Sequence, residues 1–269
     1  MTGLTFRKKA EPEERLDLSP LVPAQLAGLS AADIAGLKVG TSRLGVTVGD
    51  IFEVSGDDPA TIRFEGGSPR FDRIGEAMEA GEIFVQGDAG MRLGRMLKGG
   101  RIVVSGSAGD HAGSAMEGGV VRIAGNAGDR LGGPLAGEMM GQKGGTLIVG
   151  GNAGARAGDR MRRGVISIAG DAGPDAGSRM IAGTLIIQGR AAGTPGRLMK
   201  RGTLFLCGGV EHLAPTFLDN GPADILILSV MSRTFAAGEV GSVPFGRQPM
   251  RRYGGDTAVL GLGEIFLPL

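Results

Sequence analysis

Between Ser68 and Cys207 the chain repeats itself every 19 residues, and this constrains its fold more than any other feature of the sequence. GDAG at Gly87, GSAG at Gly106, GNAG at Gly125 and Gly151, GDAG at Gly170 and GRAAG at Gly189 open successive units, with Gly208 following. The intervals are 19 residues apart from one of 26, which is 19 plus a seven-residue insertion. Counting back 19 from Gly87 reaches a degenerate first unit at Ser68, so seven units fit between Ser68 and Cys207.

Other columns keep the same period. The eighth position is glycine in every unit (Gly75, Gly94, Gly113, Gly132, Gly158, Gly177, Gly196), and a second glycine opens an apolar segment. In that segment apolar residues stand two apart, from Ile83/Val85 through Ile102/Val104, Val121/Ile123, Leu147/Val149, Ile166/Ile168 and Leu185/Ile187 to Leu204/Leu206. This is the alternation of a strand with one buried face. One such unit cannot bury its apolar face alone, but stacked copies share a core. The pattern therefore predicts an all-β chain, a right-handed parallel β-helix of about seven 19-residue coils with capping segments at both ends. Stacking at about 4.8 Å per coil would place Ala89, Ala108, Ala127, Ala153, Ala172 and Ala191 along a narrow interior edge. Met78, Met116, Met161, Met180 and Met199 would fill the core. Composition agrees: 52 Gly and 13 Pro argue against long helices, while 42% hydrophobic residues and a net charge of +1 argue against disorder.

The flanks divide the chain into an N-terminal capping segment (1–67), the repeat domain (68–207) and a C-terminal cap with a partner-docking tail (208–269). In the first, Ser30 to Leu37 reads as a short helix with Ser30 as N-cap and Asp33 three residues on, followed by strand-like Leu44 to Val48 and Thr61 to Phe64. In the last, Asp224 to Val230 reads as an apolar strand, and the hydrophobic GEIFLPL ending is suited to docking.

Catalytic signatures are sparse. Cys207 is the sole cysteine and reads as a small buried or half-buried residue without assigned chemistry, and His111 and His212 are too few and too far apart for a metal cluster. No GxxxxGK[ST] phosphate loop occurs, and the carboxylates Asp57, Asp58, Asp171 and Asp175 are scattered. GNAGD resembles a calcium-binding nonapeptide, but the period is 19 and the fifth position, Met91, Asp110, Asp129, Ala155 and Pro174, does not align carboxylates. No metal, catalytic residue or nucleic-acid site is assigned. The start MTGLTFRKKAEPEERLDL has no apolar signal core and no run reaches the length of a membrane span, so a cytoplasmic location with no membrane contact is expected.

Charge is distributed unevenly. Residues 1–80 carry a net −4, whereas residues 151–207 carry nine Arg and Lys against three Asp, a net +6. Arg156, Arg160, Arg162, Arg163, Arg179, Arg190, Arg197, Lys200 and Arg201 fall in three successive units and would stack into a stripe able to face a polyanion or an acidic partner subunit.

The repeated GxAGxxxGxxMxxGxIxVxG pattern resembles the C subunit of formylmethanofuran dehydrogenase and, more distantly, the C-terminal β-helix domain of glutamate synthase. RIGEAMEAGEIFVQGDAGMRLG (Arg73 to Gly94), the long unit GPLAGEMMGQKGGTLIVGGNAG (Gly133 to Gly154) and the tail RRYGGDTAVLGLGEIF (Arg251 to Phe266) favour the former. That resemblance implies a structural subunit without catalytic residues, packed against amidohydrolase-like, molybdopterin-enzyme-like and formyltransferase subunits. Two complexes use such a subunit. One is the formylmethanofuran dehydrogenase of methanogens. The other is the formyltransferase/hydrolase complex of methylotrophic bacteria, which moves formyl from tetrahydromethanopterin to methylofuran and releases formate. The ratio of 23 Arg to 6 Lys fits a GC-rich bacterial genome and points to the second. Neither cofactor is expected to bind this chain firmly, although the basic stripe could guide the glutamate-rich tail of the methylofuran carrier. A stand-alone glutamate-synthase-like domain and a carbohydrate-active β-helix remain as alternatives.

Overall fold

The structure is a computed structural model describing residues 2–43, 45–237 and 249–269. The N-terminal elements are β1 (Gly3–Lys8), β2 (Leu16–Asp17), α1 (Pro23–Leu26), α2 (Ala31–Ala35), α3 (Val48–Ile51), β3 (Phe52–Ser55), β4 (Asp58–Glu65) and β5 (Phe71–Asp72). The repeats supply β6 (Glu82–Gln86), β7 (Arg101–Val104), β8 (Val120–Ile123), β9 (Thr146–Val149), β10 (Val165–Ile168), β11 (Thr184–Ile187) and β12 (Arg201–Leu206). Then come β13 (Leu218–Pro222), α4 (Ile225–Ala237), β14 (Met250–Gly255) and β15 (Leu262–Pro268). The chain is mostly β, with one large, mostly parallel sheet ordered β13-β14-β15-β12-β11-β10-β9-β8-β7-β6-β4-β1-β3.

Each repeat strand pairs in parallel with the same positions of the next unit. Ile83, Ile102, Val121, Leu147, Ile166, Leu185 and Leu204 form one fully buried column. The 26-residue unit leaves this register intact, since Val121 faces Leu147. A second parallel ladder of single bridges links Ala89, Ala108, Ala127, Ala153, Ala172 and Ala191 in turn, ending at Val210. These alanines and the five methionines of the Met column are buried, as their spacing predicts.

The second residue of each GxAG turn explains why Asp, Ser and Asn recur there. Asp88 Oδ1 accepts the Ser107 amide at 2.8 Å, Ser107 Oγ that of Asn126 at 3.0 Å, and Asn126 Oδ1 that of Asn152 at 2.8 Å. Asn152 Oδ1 then accepts from Asp171, and Asp171 Oδ1 from Arg190. Each polar side chain thus satisfies a backbone donor one unit ahead. Close approach demands glycine at other columns: a Cβ on Gly118 would lie 2.2 Å from the Lys98 carbonyl oxygen.

Not every left-handed corner is glycine. Arg73, Arg92, His111, Arg130, Arg156 and Asp175 share φ of 55–63°, and Ala77, Met96, Ala115, Arg160, Arg179 and Leu198 share φ of 51–60°. Such a conformation costs about 1–2 kcal/mol for an L-residue. Amides in both columns donate to the following unit, as Arg92 does to Asp110 and Arg179 to Arg197, each at 2.8 Å, which offsets part of that cost.

The flanks extend the stack at both ends. β1 and β4 continue the parallel sheet, and Phe6, Phe52, Phe64 and Phe71 pack with ring centroids 5.1–5.9 Å apart to plug that end. Ser30 caps α2 through the expected reciprocal bonds with Asp33, and β4 contains the expected Thr61–Phe64 strand. The strand expected over Leu44 to Val48 begins at Leu44, which lies outside the described residues. Thr47 forms a lone antiparallel bridge to Lys38, and Val48 opens α3 because Thr47 and Asp50 form a capping box.

At the other end the expected strand over Asp224–Val230 is instead the start of α4. Asp224 Oδ1 accepts the Leu226 amide at 2.7 Å, and Leu228 and Met231, three residues apart, pack on one apolar cluster. The tail forms strands of the same sheet: β15 pairs in parallel with β12, placing Ile265 beside Leu204 in the core. β14 and α4 help to cover the outer surface of the last repeats. The single buried face read from the alternation therefore holds for β6–β8, where Phe84, Val103 and Arg122 are half-buried. It fails for β9–β12, where Ile148, Ser167, Ile186 and Phe205 are buried as well. Phe205 stacks on Phe266 at 4.9 Å, and Met250 and Leu228 complete that second cluster.

Candidate functional site

The basic residues of the last repeats are separated into two groups by the turn that bears them. Arg156, Arg179 and Arg197 line a small concavity with Asp175, Ser178 and Leu198. Two of these arginines are already committed. Arg179 Nε bonds Asp159 Oδ1 at 2.9 Å, and its Nη2 reaches the other oxygen of this buried carboxylate, which Ser178 also contacts. Arg156 lies 3.9 Å from Asp175. Arg160 is also bound internally, donating from Nη1 to the Glu138 carbonyl at 2.8 Å. Glu138 in turn pairs with Arg95 at 2.6 Å, so Arg95 and Arg160 together hold the seven-residue insertion against the stack.

Arg162, Arg163, Lys200 and Arg201 form the second group. All four are exposed, and with Ile181, Ala182 and Leu260 they line an open groove of about 320 Å³. None of them has an ion-pair partner among the described residues; Arg162 Nη1 meets only Met140 Sδ, at 3.1 Å. Arg190 lies elsewhere, beside Asp171 and Glu211. The stripe expected from sequence therefore separates into Arg156, Arg160 and Arg179, which are bound internally, an uncompensated groove of Arg162, Arg163, Lys200 and Arg201, and Arg190 apart from both. Leu260 escapes a sequence reading because it joins the groove only through the pairing of β15 with β12, opposite Arg201 at Leu262, which no periodicity announces.

The remaining candidate groups are placed as packing and surface residues. Cys207 is half-buried beside the second apolar cluster, and burial pushes its thiol up to about 11. Burial also lowers the affinity of the His111 ring for a proton, and His212 is exposed. The Asp57 carboxylate accepts the Thr2 amide and Asp58 that of Ala60. Among the described residues no group of three or more His, Cys, Asp or Glu is placed to hold a metal ion. No helix among them is long and apolar enough to cross a membrane.

No protein-family model matches the chain. Its fold superposes with a TM-score of 0.93 and 42% identity on a chain of the X-ray crystal structure of the formyltransferase/hydrolase complex (FhcABCD) from Methylorubrum extorquens in complex with methylofuran. The match covers 98% of this chain and 99% of that one. Among curated proteins it is 47% identical over 88 residues to the C subunit of the formyltransferase/hydrolase complex Fhc of Methylorubrum extorquens. The chain belongs to the family formed by the C subunits of these complexes and of formylmethanofuran dehydrogenases. Similarity extends to the archaeal members, with 36% identity over 82 residues to the C subunit of molybdenum-containing formylmethanofuran dehydrogenase 1 of Methanosarcina barkeri. These alignments are local: the Methylorubrum one spans 33% of each protein, and that to Methanosarcina 29% of this chain and 27% of the relative.

Proposed function

We propose that this chain is a non-catalytic structural subunit of a formyltransferase/hydrolase complex of one-carbon metabolism. The observation that carries the reading is the end-to-end likeness, at 42% identity, to a chain of the FhcABCD complex. In this reading the chain scaffolds amidohydrolase-like, molybdopterin-enzyme-like and formyltransferase subunits, which move formyl from tetrahydromethanopterin to methylofuran and release formate in the cytoplasm. The fold is then a right-handed parallel β-helix over residues 68–207, with 1–67 and 208–269 as its caps. Rigidity suits the role, because interlocked ladders give a long, stiff surface on which other subunits can be held in fixed relation. The uncompensated cations face an anionic component of that complex.

The test is to co-express the chain with the three other subunits and follow formyl transfer and formate release. Assembly with those subunits, and no turnover by the isolated chain, is the expected result. Formyl chemistry by the isolated chain at rates near those of the assembly would refute the scaffold reading. Co-purification with glutamate synthase components instead would move it to ammonia assimilation.

A further inference from the structure

One corner of the repeat changes character halfway along the molecule. The residue two places before each strand-opening glycine is Glu79, Lys98, Glu117, Lys143, Arg162, Ile181 and Lys200 in successive units. In the first four units this corner neutralises itself from unit to unit: Lys98 Nζ meets Glu79 at 2.7 Å and Lys143 Nζ meets Glu117 at 3.0 Å. From the fifth unit on the alternation stops. Arg162 and Arg163 stand on one side of Ile181 and Ala182, Lys200 and Arg201 on the other, and no carboxylate of the described residues pairs with any of the four. Stacking sets the two cationic pairs two units apart, about 10 Å.

The floor between the cations is apolar. Leu260, 56% exposed, lines the groove with Ile181 and Ala182, and the neighbouring Leu262 and Val259 are 58% and 37% exposed. A solvated anionic chain gains little from such a surface, whereas a protein interface buries an apolar centre inside a charged rim. Resting on the scaffold reading above, we propose that this corner docks an acidic protein surface of another subunit, one that presents an apolar side chain to Ile181 and Leu260 between two sets of carboxylates. Opposite charge here governs choice of partner and speed of assembly, and the apolar centre supplies persistence.

The experiment uses the co-expressed complex. A variant carrying Arg162→Ser, Arg163→Ser, Lys200→Ser and Arg201→Ser is compared with wild type and with a control carrying Lys98→Ser and Lys143→Ser, which removes the same sign of charge from the self-neutralised part of the corner. We expect the fourfold variant to bind the remaining subunits about tenfold or more weakly, with a reduced salt dependence, and the control to assemble normally. In the otherwise wild-type complex, a photo-crosslinking amino acid in place of Ile181 should capture an Asp/Glu-rich segment of another subunit, a readout independent of whether the fourfold variant folds. Normal assembly of a folded fourfold variant, or no crosslink to another subunit, overturns the proposal. Intact assembly together with loss of inhibition by poly-L-glutamate also overturns it, and assigns the groove to a free polyanion. Failure of the wild-type chain to assemble with these subunits at all would instead refute the scaffold reading on which the proposal rests.

Discussion

The carboxylate of Asp256 accepts the backbone amide of Leu198 at 2.8 Å, taking the place that a carbonyl of the next repeat fills elsewhere in the stack. The equivalent amides of Arg160 and Arg179 donate to Ser178 O and Arg197 O. Asp256 also accepts from Ala258 at 2.8 Å and is buried, so it terminates the ladder with its amide bonds satisfied. Asp256→Ala leaves the part-buried Leu198 amide without this partner and should cost about 1 kcal/mol, read from the urea midpoint. Burial by itself would raise the pKa of this carboxyl, but the amides of Ala258 and Leu198 hold it below the ordinary 3.8. A depressed folded pKa means that the contribution is complete above about pH 3.8 and disappears as the pH falls through the folded value. The stability gap between wild type and variant should therefore narrow in acid.

Register makes a sharper prediction than composition does. One residue inserted after Ile168 would turn the next strand over, moving Leu185 and Ile187 out of their core column and into the cluster that Ile186 fills, whereas a whole extra 19-residue unit repeats every bond. Soluble yield and thermal unfolding should suffer far more from the single residue. Equal tolerance of both would contradict the ladder arrangement.

Gly118 and Gly137 differ in what a methyl group would meet. At Gly118 it would collide with the Lys98 carbonyl at 2.2 Å, a backbone atom fixed by the sheet; at Gly137, in the insertion, nothing lies within 4 Å, although φ is +85°. Gly118→Ala should cost about 1–3 kcal/mol or more through overpacking. Gly137→Ala should cost about 1 kcal/mol through backbone strain alone. Chemical denaturation of the two variants separates the cases.

Cys207, with its thiol near 11, should resist thiolate-selective reagents in the folded protein. At pH 8 its thiolate fraction is roughly a hundredfold below that of an unperturbed thiol, so labelling should be slow and should accelerate on unfolding by about that factor. Rapid labelling of the native chain at pH 8 would show the site to be open.

The repeat is legible in the sequence because its information is periodic: the columns of Ile83, Ala89 and Met78 each recur at the spacing that stacks them. The ends are less so. Asp224 to Val230 is rich in β-branched and aliphatic residues, yet the Asp224 cap and the packing of Leu228 and Met231 make it helical, a tertiary choice that local propensity does not encode. The basic stripe is legible as charge but not as geometry. Asp159, buried and bonded to Arg179, reads in the sequence like any surface aspartate, and Leu260 reaches Arg162 and Lys200 only through the placement of the tail.

The two-sided burial of β9–β12 has a mechanical consequence. Stacked arrays ordinarily fray inward from their ends, but here the phenylalanine cluster holds one end and the β14, β15 and α4 cover holds the other. The thinnest part lies between them, at β6–β8, where Phe84, Val103 and Arg122 are only half-buried. Under heat or tension the molecule should give way first in its interior, so that amide exchange at Val103 and Arg122 outruns that at Phe6 or Phe205.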